Sequence, residues 1–133
     1  MIKKHYTIEN LLENYKGNDY GFEKYISNLY EMMGYKTQVT SKTNDGGKDI
    51  VMWKDGRKYV VEVKLYARDR KIGRPFIQKL HSAMIDSEAN EAIFITTSEY
   101  TEPARKYADK FNIKTVDGYE LAGLIDNVRR YLE

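Results

Sequence analysis

Three charged residues near the middle of the chain have the types and the spacing that phosphate chemistry requires. Asp49 heads one apolar run, and Glu62 and Lys64 lie two residues apart in the next. Successive residues of a strand point to opposite faces, so Glu62 and Lys64 share a face. Asp55-Gly56 is a strong two-residue hairpin signal, and such a hairpin would bring Asp49 beside them. Two carboxylates can hold a divalent cation, and a lysine next to that cation can act on a phosphate.

The surroundings of the acid–lysine pair favour a covered strand over a solvated face, which is the ordinary alternative for charged residues. Val60 shares the face of the pair, and Val61 and Val63 occupy the other face. A strand that is apolar on both sides is typical of the centre of a sheet. A charged pair there is unfavourable unless a partner or a metal ion compensates it. The Gly46-Gly47 pair has two interpretations, a close approach of the backbone to a ligand or a plain tight turn.

The periodicity of the apolar residues predicts the elements that must position this site. Helical spacing and cap residues predict five helices, and short apolar runs predict five strands. The predicted strands are Lys36–Thr40, Asp49–Lys54, Arg57–Leu65, Glu91–Thr97 and Ile113–Val116. The predicted helices are one capped by Thr7, one from Asp19 to Gly34, one opened by Pro75, one capped by Thr101 and one after Asp117 or Gly118. A meander followed by alternating helices and strands predicts an α/β fold, in which helices flank a mixed central sheet.

Length and composition limit the possible classes of protein. A chain of 133 residues with 41% hydrophobic residues suits one domain with a real core. We expect a single domain over residues 1–133, with residues 1–20 as a short N-terminal helical extension. The absence of cysteine excludes disulfides, thiolate metal sites and a thiol nucleophile. No apolar run is long enough for a membrane span or a signal core, so we expect a cytoplasmic protein without a membrane partner.

The positive charge is concentrated around the candidate site. The net charge of the chain is only +2, but residues 42–79 carry eleven Lys or Arg against five acids, a net of +6. Residues 80–133 carry six against ten, a net of −4. A phosphate backbone would lie against such a positive segment. The alternative is a charge-rich hairpin and loop that are only solvated.

Five stretches, in the same order, resemble the PD-(D/E)xK nuclease core in its Mrr-type restriction endonuclease form. The resemblance runs from about Gly21 to Ile125. The stretches are Gly21-Phe22-Glu23 with Gly34-Tyr35, Gly46 to Ile50, Glu62-Val63-Lys64, Ile93 to Ser98 with Tyr100, Thr101 and Ala104, and Val116-Asp117-Gly118 with Leu121. This resemblance implies a restriction-endonuclease-like fold and a metal-dependent deoxyribonuclease that hydrolyses phosphodiester bonds.

The resemblance also implies roles for the residues of the core motif. Asp49 and Glu62 would bind Mg²⁺, for which Mn²⁺ can substitute, and the carbonyl of Val63 would be a third ligand. Lys64 would orient or activate the attacking water, or stabilise charge on the phosphate.

Residues on both sides of the core motif complete the predicted site. Glu23 either complements the dipole of its helix or reaches the active site, as the first-helix acid of the family does. Gln78 either assists catalysis, as a helical glutamine does in some relatives, or faces solvent. A hydroxyl at the end of a strand either binds phosphate or caps a turn. The residues that we expect to contact DNA are Lys48, Arg68, Arg70, Arg74, Lys79 and Ser98.

We expect DNA as the substrate and a homodimer as the working form, because cutting both strands usually takes two sites. Residues 1–20 are too few for the recognition domain that often accompanies the Mrr-type catalytic domain. Recognition would then rely on low specificity, on DNA structure or on a separate protein. A Holliday-junction resolvase is the alternative within the enzyme class, because it shares the fold and the acid-acid-x-lysine core. A non-catalytic DNA-binding module of the same fold is the alternative from another class.

Overall fold

The computed structural model describes residues 7–40 and 49–132 of the chain. Helices and strands follow one another there in the predicted order. The elements are α1 (Ile8–Asn14), α2 (Asp19–Met32), β1 (Lys36–Val39), β2 (Ile50–Lys54), β3 (Arg57–Lys64), α3 (Arg74–Asp86), β4 (Glu91–Thr96), α4 (Glu102–Lys110), β5 (Lys114–Val116) and α5 (Gly118–Leu132). None of the helices in the described residues is long and apolar enough to cross a membrane.

Side-chain caps explain where the first two helices begin. Thr7 accepts a hydrogen bond from the amide of Asn10, whose side chain accepts one from the amide of Thr7, so a capping box starts α1. Asn18, and not the predicted Asp19, caps α2 by accepting from the amide of Gly21. Asp19 is instead the first residue inside the helix, where its charge suits the positive end of the dipole.

The turn between β2 and β3 determines which residues face each other across the candidate site. The Asp55-Gly56 pair has φ values of +52° and +77°, the left-handed values that a type I′ hairpin requires. The resulting antiparallel register pairs Ile50 with Val61. The ladder ends at this pair, and the amide of Asp49 donates to the carbonyl of Val61, so Asp49 lies beside the segment Val61–Val63 and not in register with Glu62. The hairpin predicted from the sequence is therefore confirmed, and it brings Asp49 beside β3.

The five strands of the described residues form one mixed sheet in the order β1-β2-β3-β4-β5. The pairs β1–β2 and β2–β3 are antiparallel, whereas β3–β4 and β4–β5 are parallel and are connected through α3 and α4. This arrangement confirms the predicted α/β class with a mixed sheet. It also makes β3, the strand that carries the acid–lysine pair, the central strand.

Each face of the sheet is covered by its own apolar layer, and β3 contributes to both. Val61 and Val63 belong to the layer formed with α1, α2 and α5. Val60 belongs to the layer formed with α3 and α4. The predicted alternation along β3 is thus confirmed, and by the same alternation Glu62 and Lys64 lie on the α3–α4 side of the sheet.

Candidate active site

Backbone hydrogen bonds hold Asp49 immediately before the first residue of β2. Its amide donates to the carbonyl of Val61 at 2.7 Å, and its carbonyl accepts from the amide of Thr40 at 2.8 Å. Its carboxylate oxygen Oδ2 accepts from the amide of Val63 at 2.7 Å. Charge-assisted bonds of this length fix the orientation of a carboxylate. A carboxylate has about four acceptor sites, so this bond is compatible with a metal-ligand role.

Glu62 and Lys64 form an ion pair on the face of β3 that they share. The ammonium Nζ of Lys64 lies 3.2 Å from Oε1 of Glu62. Glu62 is only 9% exposed, whereas the side chain of Lys64 is 31% exposed. Nζ also lies 5.8 Å from the ring centroid of Phe76, within the range of a cation–π contact. The pair therefore sits at the boundary between the sheet interior and the opening above it.

The pKa of Lys64 reflects two opposing effects. Burial lowers this pKa, while the charge of Glu62, its hydrogen bond with the ammonium and the charge of Asp49 raise it, and the net shift is upward from the ordinary value. Lys64 is consequently protonated at neutral pH. In this state the side chain is a cation and a hydrogen-bond donor, suited to charge on a phosphate oxygen, and it has no lone pair with which to accept a proton.

A cleft of about 370 Å³ opens between α2 and the end of β3, and Lys64 lines it, whereas Glu62 does not occur among the described lining residues. Asp49, Val63 and Lys64 lie on the sheet side. Glu23, which is 8% exposed, lies on the α2 side, so the structure places it at the cleft. The remaining lining residues are Asp19, Phe22, Leu65, Tyr66 and Arg70.

Sequence reasoning missed Asp19 as a cleft residue. The signal was available, because Asp19 and Glu23 are four residues apart on one helix and therefore share a face. A carboxylate at the first position of a helix is so commonly a dipole partner that the sequence alone favours that role. Tyr66 was missed as well, since nothing local distinguishes it from the tyrosines of the core.

The segment after β3 forms the rim of the cleft. The guanidinium of Arg70 stacks on the ring of Tyr66, with 3.8 Å from Cζ to the ring centroid. Arg68 forms an exposed ion pair with Glu9 of α1 at 3.4 Å. Thr97 donates its hydroxyl to the carbonyl of Tyr66 at 2.7 Å, which ties the rim to the end of β4. Arg70 is therefore an exposed cation that an aromatic ring holds at the cleft.

The burial of Ser98 corrects the expectation that it contacts DNA. Ser98 is 1% exposed, and its hydroxyl lies 2.8 Å from the carbonyl of Arg70 and 3.1 Å from that of Arg68. A phosphate cannot reach a hydroxyl that is buried in this way. Ser98 instead supports the backbone of the rim, the cap-like role that was the alternative.

The other predicted residues lie at different distances from the cleft. Gln78 is half-buried on α3 and does not occur among the described residues that line the cleft. Arg74 and Lys79 are exposed on the same helix, and Arg74 lies 5.3 Å from the ring centroid of Tyr107 on α4. Lys48, with the preceding Gly46-Gly47 pair, lies outside the described residues.

The donor set of the site suits a hard cation. Within residues 7–40 and 49–132, no three His, Cys, Asp or Glu side chains are grouped as a ready metal site. The site offers the carboxylates of Asp49 and Glu62, and Val63, whose amide bonds Asp49, follows Glu62 in β3. Mg²⁺ commonly binds through one or two carboxylates and completes its shell with waters and substrate phosphates. The residues present therefore fit such an ion.

Comparison with protein families identifies the chain. Residues 15–125 match the model of the family Mrr_cat, which is described as restriction endonuclease. The chain belongs to this restriction endonuclease family. Its members generally use a divalent metal ion, in agreement with the oxygen donors of the site. The sequence resemblance to Mrr-type nucleases is thereby confirmed.

Two curated proteins are similar in sequence. The type IV methyl-directed restriction enzyme EcoKMrr of Escherichia coli (strain K12) is 31% identical over 128 residues, which are 90% of this chain and 40% of the enzyme. The uncharacterized protein y4cE of Sinorhizobium fredii (strain NBRC 101917 / NGR234) is 26% identical over 86 residues, 62% of this chain and 22% of that protein. The chain thus spans less than half the length of these relatives.

Solved structures of restriction endonucleases share the fold. The DNA modification-dependent restriction endonuclease AspBHI superposes with a TM-score of 0.73 and 18% identity, over 94% of this chain and 38% of that chain. MspJI, solved in complex with a 27-mer oligonucleotide, superposes with a TM-score of 0.65 and 15% identity, over 89% and 30%. The restriction-endonuclease-like fold is therefore confirmed.

Proposed function

We propose that this domain is a metal-dependent DNA endonuclease that hydrolyses phosphodiester bonds. One observation supports this most strongly: Asp49 and Lys64 line one cleft, whose rim carries Arg70, and Glu62 forms an ion pair with Lys64 beside it. Two acids and a protonated lysine beside an exposed arginine match the charges of a phosphodiester and a bound cation. Family membership supports the same activity.

Asp49 and Glu62 would hold Mg²⁺, or Mn²⁺ in its place, with the carbonyl of Val63 as a third donor. Such an ion, when bound, supplies neutralisation of the phosphoryl charge and activation of water. The amide of Val63 keeps the Asp49 carboxylate in one orientation through the 2.7 Å bond, so little rearrangement is needed when the site fills.

Lys64 would act on the substrate side of the site. Its ammonium donates to a non-bridging phosphate oxygen and stabilises the charge that grows there as water attacks and the leaving oxygen departs. The ion pair with Glu62 holds the ammonium 3.2 Å from that carboxylate before substrate arrives. Glu23, on the opposite wall, would orient the attacking water by accepting a hydrogen bond from it.

The activity is tested by incubating the protein with plasmid, linear duplex and four-way junction DNA, each with Mg²⁺ or with chelator. We expect nicking or linearisation of plasmid with Mg²⁺ and no cleavage in chelator. Preferential cutting of the junction would indicate a resolvase. DNA binding without cleavage of any substrate, with either Mg²⁺ or Mn²⁺, would indicate the non-catalytic module.

The DNA path would follow the cleft rim and the start of α3, where Arg68, Arg70, Arg74 and Lys79 are exposed. Lys48 would join them from outside the described residues. Each phosphate neutralised by a cation releases about one counterion, which makes the affinity salt-dependent.

Replacing Arg68, Arg70 and Arg74 together with alanine is expected to weaken DNA binding and to flatten its salt dependence. The log–log slope of affinity against salt should become shallower by about 0.9 for each phosphate contact that is lost. Fluorescence anisotropy with a labelled duplex in chelator, at several salt concentrations, measures both quantities.

A matched triple variant controls for the loss of charge alone. Lys36, Arg57 and Arg130 are exposed cations at the start of β1, at the β2–β3 turn and in the last turn of α5. Their replacement with alanine removes the same charge and should leave the slope nearly unchanged. If the two triple variants change the salt slope equally, either the DNA lies elsewhere on the protein or the binding depends only on net charge.

A homodimer remains part of the proposal, because one cleft of this kind faces one strand at a time. We expect analytical ultracentrifugation at micromolar concentration to show a dimer, with DNA or without it. A strict monomer under both conditions that still linearises plasmid in a single binding event would contradict the dimer.

A further inference from the structure

A second cavity, of about 520 Å³, lies on the outer surface between α3 and α4, away from Asp49 and Glu62. Its floor contains two aromatic side chains of α4 and its C-cap, Tyr107 and Phe111, with 4.7 Å between ring centroids. Phe111 remains 38% exposed. The solvent-facing part of this ring does not enter the core and therefore contributes little to core packing.

The aromatic floor of the cavity packs against a side chain of α3. The ring of His81 on α3 lies 4.6 Å from that of Phe111, and Nδ1 of His81 lies 2.8 Å from the hydroxyl oxygen of Tyr107. These contacts explain why the two helices pack together here. They leave the outer part of Phe111 uncovered, so packing alone does not account for the exposed ring.

Cations surround the aromatic floor. Cζ of Arg74 lies 5.3 Å from the ring centroid of Tyr107, and Nζ of Lys110 lies 5.4 Å from that of Phe111. Lys106 also lines the cavity and pairs with Glu102, the one acid among the described lining residues, at 3.3 Å. Flat apolar rings next to cations are complementary to a nucleotide, which has a π-face and a phosphate.

The position of Arg74 connects this cavity to the cleft. Arg70 is at the cleft rim and Arg74 lines the cavity, and four residues of chain span at most about 14 Å. A DNA strand rises about 3.4 Å per nucleotide along the duplex. A strand whose phosphate lies near Arg70 can therefore reach Arg74 within a few nucleotides.

We propose that the α3–α4 cavity binds an unpaired nucleotide of the DNA strand that leaves the cleft. The base stacks on Phe111 and Tyr107, and its phosphate pairs with Arg74 and Lys110. A base must be unstacked from its neighbours to meet an aromatic side chain in this way, so the ligand is a single-stranded flank and not an intact duplex. This inference rests on the proposed function, since it assumes that DNA lies in the cleft.

The test compares two labelled DNAs, a short blunt duplex and the same duplex with a single-stranded thymidine tail, by fluorescence anisotropy in chelator. We expect the wild-type chain to bind the tailed duplex about tenfold more tightly, the typical contribution of one stacked base. Phe111→Ala should remove this preference while leaving the affinity for the blunt duplex unchanged. Phe111→Trp should retain it.

Two further variants separate stacking from folding and from loss of apolar surface. Phe111→Leu keeps an apolar side chain but lacks a flat ring, so it should behave as Phe111→Ala if stacking is the cause. Tyr131→Ala removes an aromatic ring that is 88% exposed on α5 and should keep the preference. Thermal unfolding of each variant checks that the fold is intact.

Equal affinity of the wild-type chain for the two DNAs would overturn the inference, as would an equal loss for both DNAs in Phe111→Ala. Plasmid cleavage with Mg²⁺, measured in parallel, distinguishes this failure from failure of the proposed function. Cleavage without a tail preference refutes nucleotide binding in the cavity and leaves the proposed nuclease function standing. A tail preference without cleavage refutes the nuclease and leaves the nucleotide site standing.

Discussion

Asp49→Asn is expected to lower the rate of DNA cleavage by about a thousandfold or more, the scale on which loss of a group that stabilises transition-state charge acts. The substitution removes the negative charge from the centre of the site and changes little else. The side-chain carbonyl of asparagine can still accept the hydrogen bond from the amide of Val63 that Asp49 accepts at 2.7 Å. The backbone bonds of residue 49 to Val61 and Thr40 are untouched. The fold should therefore persist while the metal site is lost.

The measurement is the single-turnover cleavage rate with saturating protein at several Mg²⁺ concentrations, with circular dichroism as the check on folding. A variant that regains activity at high Mg²⁺ would still support the ligand role, because weakened binding is overcome by mass action. Glu91→Gln is the matched control. Glu91 is a carboxylate on β4 of the same sheet, and it pairs with Arg57 at 2.9 Å. Arg57 is the first residue of β3, whereas Lys64 is the last. Full activity in Asp49→Asn at low Mg²⁺ would contradict the assignment.

The central part of the site could be predicted because local rules determine it. Asp55-Gly56 dictates a two-residue turn, and a two-residue turn sets the register of the strands it joins. From that register, the placement of Asp49 beside the strand that carries Glu62 and Lys64 follows without any knowledge of tertiary structure. The burial of β3 on both faces could likewise be inferred from its apolar residues on both sides of the acid–lysine pair.

Other parts of the site depend on contacts between distant segments, which no local rule contains. Ser98 follows β4, and its partners are carbonyls about thirty positions earlier in the chain, at Arg68 and Arg70. From the sequence, a hydroxyl at a strand end and a hydroxyl facing a phosphate look the same. Tyr66 has its role because the chain turns Arg70 back over its ring. Such details require the packed structure.

The same long-range contacts make one glycine critical. Gly118 begins α5, and its amide donates to the carbonyl of Ser98 at 2.8 Å. A Cβ atom built at this position would lie 2.3 Å from the carbonyl oxygen of Thr97, and 3.3 Å from a side-chain carbon of Ile8 on α1. The nearest atom is backbone, so the clash cannot be relieved by rotating a side chain. Only glycine allows the start of α5 to approach the end of β4 so closely.

Gly118→Ala is therefore expected to destabilise the protein by about 3 kcal/mol, at the upper end of what overpacking of a buried site produces. For a domain of this size, such a loss lowers Tm by roughly 10 °C. Gly123→Ala in the same helix is the matched control. Its added Cβ meets nothing within 4 Å, and replacing an exposed helical glycine should stabilise the helix by about 0.5–1 kcal/mol. Thermal and urea unfolding of both variants measure the contrast.

The effect of Gly118→Ala should extend to the cleft. The added Cβ displaces the backbone at Thr97, and Thr97 and Ser98 form the hydrogen bonds that hold the rim in place. Thr97 binds the carbonyl of Tyr66, and Ser98 binds that of Arg70. We expect the variant to bind DNA more weakly even at a temperature where it is fully folded, whereas Gly123→Ala should bind as the wild type does. If Gly118→Ala unfolds at the wild-type temperature, the close approach of α5 to the end of β4 is not present in solution. If it is destabilised but binds DNA normally, the rim does not depend on the hydrogen bonds from Thr97 and Ser98.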